Sequence, residues 1–130
     1  MRIEHIALYT EDLERMRRFY MDFFNAGCNQ GYHNKMTGLR TYFLTFEDST
    51  RLEIMTRPEM PERRDQSSRD GIPGYAHLAF SVGSRDKVDS LTKALEQAGC
   101  LVASRPRITG DGYYESGILD PDGNYIELTE

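Results

Sequence analysis

Apolar side chains in this chain recur first at every second position, then at every third or fourth, then at every second again. Residues 2–9 alternate as a strand does. Ile6 and Leu8 fall on one face, and Ile3, His5 and Ala7 on the other. Asp12 is placed to cap a following helix, its carboxylate accepting backbone N–H groups that have no partner within the helix. Met16, Phe19 or Tyr20, and Phe23 follow at helical spacing, and Gly27 is placed to end the helix. Strands are predicted near 28–34, 40–47 and 50–56. The segment Thr41-Tyr42-Phe43-Leu44-Thr45-Phe46 is rich in β-formers, and Asp48-Ser49-Thr50 suits a tight turn. Residues 1–56 thus form one predicted β-α-β-β-β module.

The alternation stops at 57–73, where Pro58, Pro61, Pro73 and many charged residues replace it. A charged surface linker is predicted there, long enough to cover a site as well. The same element order then returns. A strand at 75–82 leads to Ser84 as helix cap, and Val88, Leu91, Leu95 and Ala98 form the apolar stripe, with Gly99 at the helix end. Strands follow near 101–107, 113–119 and 123–129. Asp111-Gly112 and Asp120-Pro121-Asp122-Gly123-Asn124 mark the turns between them. Residues 74–130 therefore repeat the first module, and the chain is an α+β domain of paired β-α-β-β-β modules.

The repetition extends to individual residues. Arg2-Ile3-Glu4-His5-Ile6-Ala7-Leu8 returns as Gly74-Tyr75-Ala76-His77-Leu78-Ala79-Phe80, and Ala26-Gly27-Cys28 as Ala98-Gly99-Cys100. Leu52-Glu53-Ile54 in the last strand of the first half returns as Ile126-Glu127-Leu128. Alternation turns both histidines and both glutamates away from the helices. If first and last strands are neighbours, each module presents a His beside a Glu. A single histidine in an apolar strand is usually structural, and a glutamate between apolar residues usually faces solvent. The same pair at the same strand positions in both halves points instead to ligands. Two imidazoles and two carboxylates suit one divalent ion such as Zn, Ni, Co, Fe or Mn. His33 has no counterpart in the second half and is predicted at the surface.

Composition narrows the partners. The 130 residues carry a net charge of −5, which disfavours a nucleic-acid surface. No apolar run approaches the roughly 20 residues that span a bilayer, so no membrane partner is expected. The chain opens on a strand without a signal-peptide pattern, and a cytoplasmic location is expected. Cys28 and Cys100 are expected to be buried thiols rather than a disulfide.

The opening strand with His5, the segment Gly74-Tyr75-Ala76-His77-Leu78-Ala79-Phe80 and the terminal Asp120-Pro121-Asp122-Gly123-Asn124-Tyr125-Ile126-Glu127-Leu128 resemble the vicinal-oxygen-chelate superfamily. That superfamily includes glyoxalases, bleomycin and fosfomycin resistance proteins, extradiol dioxygenases and methylmalonyl-CoA epimerase. The resemblance covers nearly the whole chain. It implies an open β-barrel cleft with helices outside and one metal ion per site. The order His5, Glu53, His77, Glu127 is similar to the ligand set of bacterial glyoxalase I. It implies a lactoylglutathione lyase-like enzyme that isomerises the hemithioacetal of methylglyoxal and a thiol, with Glu127 and Glu53 as candidate bases. Arg40, Arg105 and Arg107 either grip an anionic small-molecule substrate or are solvated strand-edge charges. Tyr42, Met55, Tyr113 and Tyr114 are candidates to line the cleft. No glutathione-carboxylate clamp is evident, and 57–73 is longer than compact bacterial glyoxalase I suggests. Epimerisation, thiol transfer to an antibiotic, oxygenation, or simple sequestration of a small molecule are the alternatives. A homodimer is expected.

Overall fold

The computed structural model describes residues 3–60 and 74–130. The chain divides into two compact units, Met1–Arg63 and Arg64–Glu130. Most of the predicted 57–73 linker lies outside the described residues. Each unit carries one helix on one mixed sheet.

In the first unit, β1 (Ile6–Tyr9) leads to α1 (Leu13–Phe24), then to β2 (Gly27–Cys28), β3 (Tyr32–His33), β4 (Arg40–Thr45) and β5 (Arg51–Thr56). The sheet runs β1-β5-β4-β2, and β3 also pairs with β4. β1 and β5 are parallel, with Ile6 opposite Leu52 and Ala7 opposite Glu53. Asp12 caps α1 by accepting from the Arg15 N–H at 2.9 Å. The helix ends earlier than Gly27: Asn25 takes the left-handed conformation, at φ 53°, and Gly27 joins β2. Asparagine is one of the few non-glycine residues that tolerates this region. The predicted 28–34 strand is broken, because the Asn29 side chain accepts from the Gly31 and Phe43 N–H groups between β2 and β3. Leu13, Met16, Phe19 and Tyr20 of α1 are buried with Leu44, Leu52 and Ile54. Ile6 is exposed rather than packed on the helix, since β1 is an edge strand and α1 covers β4, β5 and β2.

The second unit repeats the plan. Its elements are β6 (Leu78–Ser81), α2 (Arg85–Gln97), β7 (Val102–Ile108), β8 (Tyr114–Leu119) and β9 (Tyr125–Thr129), in the sheet order β6-β9-β8-β7. Again the first and last strands are parallel, with Leu78 opposite Ile126 and Ala79 opposite Glu127. Ser84 caps α2, accepting from the Lys87 N–H. Gly99, at φ 91°, closes it: the Gly99 N–H reaches the Glu96 carbonyl and the Cys100 N–H the Leu95 carbonyl. This double bond pattern needs a left-handed residue at its centre. Val88, Leu95, Ile118, Ile126 and Leu128 form the buried core. The apolar stripe differs from expectation. Ala98 is exposed and Leu91 half-buried, while Thr92 is buried and bonded to Ser116. Asp120 anchors the β8–β9 turn, accepting from Asp122, Asn124 and the Asn124 side chain. His33 is exposed, and Cys28 and Cys100 are half-buried thiols rather than fully buried ones. Among the described residues no helix is long and apolar enough to cross a membrane.

Candidate metal centre

Strand register brings each histidine to its glutamate. Glu53 stands opposite Ala7, and His5, two residues before Ala7, shares its face. His5 Nε2 lies 3.7 Å from Glu53 Oε2. In the second unit Glu127 stands opposite Ala79, and His77 Nε2 lies at the same 3.7 Å from Glu127 Oε2. Both histidines lie just before their strands, not inside them as expected, since β1 begins at Ile6 and β6 at Leu78. The carboxylates are the more covered members, 18% and 20% exposed against 37% and 41% for the imidazoles.

A separation of 3.7 Å is too long for a hydrogen bond. It is slightly wider than the roughly 3.0–3.5 Å between neighbouring donors about 2.1 Å from one zinc-like ion. The two pairs have the same His–Glu spacing. Among the described residues, no group of three or more His, Cys, Asp and Glu side chains is gathered closely enough to hold a metal.

The two pairs have different surroundings. His5 Nδ1 meets the Glu4 carboxylate, and Arg51 pairs with the other oxygen of Glu4. The Phe43 ring meets the His5 imidazole edge-on, with centroids 5.3 Å apart. Around the second pair, Glu115 stands near Glu127 and accepts from Arg107 at 3.3 Å. Burial first, and then the Glu115 charge, push the Glu127 carboxyl above the ordinary carboxylate range, against the pull of His77 and Arg107. The Tyr125 ring lies 6.0 Å from His77 and covers Gly117, where a Cβ would come within 1.8 Å of the tyrosine oxygen.

The candidate substrate residues separate by face. Tyr42 stands opposite Ile54 and so faces α1, donating to Glu14 at 2.8 Å beneath the Arg17 guanidinium. Arg40 lies 3.6 Å from the same Glu14. Arg105 makes two bonds to Glu96 of α2, and Tyr114 donates to Asp89 of α2 at 2.7 Å. These four engage helices, not the His–Glu faces. Alternation across the sheet is the reason: each lies one residue out of phase with the residues on the glutamate face, or is drawn to a helix carboxylate. Met55, two residues from Glu53, and Arg107, paired with Glu115, are on the Glu sides of their sheets. Tyr113 is exposed. Glu4, Phe43, Glu115 and Tyr125 are neighbours of the pairs that pattern alone did not single out. Glu115 was accessible in principle, being two residues from Gly117, which stands opposite Glu127.

Comparison with known proteins supports the same architecture. The sequence profile of the Glyoxalase/Bleomycin resistance protein/Dioxygenase superfamily matches residues 2–128. The chain is similar to the uncharacterized protein PA2024 of Pseudomonas aeruginosa, 32% identical over 130 residues, covering 98% of this chain and 86% of that protein. Its fold is similar to the trypanothione-dependent glyoxalase I of Leishmania major, with TM-score 0.79, 21% identity, and coverage of 100% of this chain and 86% of that one. It is also similar to the fosfomycin resistance protein FosX of Listeria monocytogenes, with TM-score 0.70, 21% identity, and coverage of 98% and 88%.

Proposed function

Because the chain belongs to the Glyoxalase/Bleomycin resistance protein/Dioxygenase superfamily, we propose that it is a divalent-metal-dependent, glyoxalase I-like lyase or isomerase. Its substrate on this reading is a small oxygenated molecule such as a thiol hemithioacetal of methylglyoxal. The observation that carries the proposal is the duplicated His–Glu pair at 3.7 Å. His5, Glu53, His77 and Glu127 would be the ligands of one ion, Zn, Ni, Co, Fe or Mn, and the protein would be a homodimer. When bound, such an ion supplies Lewis acidity to substrate oxygens.

The rest of the chemistry belongs to the side chains. Glu127 takes a proton from one carbon of the substrate and returns it to the next. Burial and the neighbouring Glu115 raise its affinity for protons. Glu53, the equivalent carboxylate, is the second candidate base. Arg107 is placed beside the Glu127–Glu115 pair and can meet an anionic substrate group, and Met55 supplies apolar surface beside Glu53.

Elemental analysis of freshly purified protein is the first test, and about one divalent ion per site is expected. His77→Ala and Glu127→Ala should each lower metal content sharply, and wild-type content in both variants refutes the ligand assignment. With the native ion in place, hemithioacetals formed from several thiols should be isomerised. Glu127→Gln should then lower kcat by about 10²- to 10⁴-fold, the range for loss of a general base. A metal-loaded protein inert to every hemithioacetal but active in epimerisation, thiol transfer or oxygenation sinks the glyoxalase reading.

A further inference from the structure

The first module contains a closed circuit of side chains around His5 that has no counterpart among the described residues of the second module. Glu4 Oε2 contacts His5 Nδ1, while the ring's Nε2 faces Glu53. Arg51 pairs with Glu4 Oε1. The same guanidinium lies 4.6 Å above the Phe43 ring, and Phe43 packs edge-on against His5. Arg51 therefore ties together the two groups that touch the imidazole. By repeat position, Ala76 replaces Glu4, Gly117 replaces Phe43 and Tyr125 replaces Arg51. None of these three can bind an imidazole Nδ1 as a carboxylate does.

We infer that Glu4, anchored by Arg51, is a positioning residue that holds His5 in the Nδ1–H tautomer with Nε2 free as a metal donor. The inference rests on reading His5 as a ligand. A carboxylate accepting the far N–H of a ligating imidazole fixes the ring's tautomer and orientation and increases the basicity of the donor nitrogen. Phe43 limits ring rotation from the side. The two half-sites then differ in kind: His5 is preset by charge before any ion arrives, and His77 is bordered by the Tyr125 ring.

Zinc affinity, measured by competition with a chromogenic chelator on the full chain, tests this. Glu4→Ala should weaken zinc binding by about 10- to 100-fold, as loss of such outer partners does. Glu4→Gln, which keeps an acceptor oxygen but not the charge, should recover part of the loss, and Arg51→Ala should weaken binding in the same direction. Glu4 is exposed, so folding should survive its removal, which a thermal melt of the metal-free proteins checks. In metal-free protein at pH 8, nitrogen-15 NMR should show His5 carrying its proton on Nδ1, moving to Nε2 in Glu4→Ala. Zinc affinity within twofold of wild type in Glu4→Ala, while His5→Ala abolishes binding, overturns the positioning role and leaves the ligand reading intact. Unchanged affinity in His5→Ala overturns both.

Discussion

The Tyr42 hydroxyl lowers the proton affinity of a helix carboxylate, Glu14. Tyr42 donates to Glu14, and this bond is the main reason the Glu14 carboxyl lies below the ordinary carboxylate range, with Arg17 and Arg40 adding to it and burial opposing it. The native state thus binds that proton less tightly than the unfolded chain. Such a group stabilises the fold above its unfolded-state pKa, and the contribution disappears as pH falls through the lowered native value. Tyr42→Phe should therefore cost about 1 kcal/mol at pH 7, a figure already reduced for partial exposure. The loss should be smaller at a second, acidic pH low enough for Glu14 to take up its proton. Urea unfolding at both pH values measures it, and an equal loss at both would exclude a charge-dependent bond. The sequence could not assign Tyr42 to this role. Thr41-Tyr42-Phe43-Leu44 has no polar alternation, so only pairing with β5 shows that Tyr42 shares the face of Ile54 and Phe43 that of Glu53.

Elements were legible where a periodic pattern and a cap agree, as at Asp12 with α1 and Ser84 with α2. Strand ends were not: His5 and His77 lie one residue outside β1 and β6, although the alternation runs through both. Thr92 shows the same limit inside a helix. The stripe Val88, Leu91, Leu95 points to Leu91, yet the helix turns its polar neighbour inward. Thr92 finds a place there because its hydroxyl lies 2.6 Å from both the Val88 carbonyl and Ser116 Oγ. Thr92 donates to the carbonyl, and Ser116 then donates to Thr92. This buried pair joins α2 to β8, and Thr92→Val leaves the Ser116 hydroxyl without this partner. The expected cost is about 1–3 kcal/mol. Ser116→Ala added to Thr92→Val should cost clearly less than the two single changes together, because the second removal relieves an orphaned group. Strict additivity in a double-mutant cycle would show that the hydroxyls do not act as a pair.

For the molecule as a whole, the duplication was legible because backbone order and the four ligand-type residues are preserved together. The divergence around them was not. Ala76 for Glu4, Gly117 for Phe43 and Tyr125 for Arg51 are ordinary strand residues until their neighbours are known. The duplication makes its own thermodynamic prediction. If one ion draws on both His–Glu pairs, binding favours the folded state by an amount set by ligand excess, about 2.7 kcal/mol at a hundredfold excess over Kd. For a chain of 130 residues that is a rise of several degrees in Tm. Removing one pair by His77→Ala with Glu127→Ala leaves two donors, too few to complete the usual four-coordinate shell of a structural zinc ion. Nearly all of the zinc-dependent rise should then disappear, and the same should follow from His5→Ala with Glu53→Ala. Two independent two-donor sites would behave otherwise, each double variant keeping about half of the rise. Thermal melts with and without zinc separate the cases, and half-retention would show that the pairs do not share an ion.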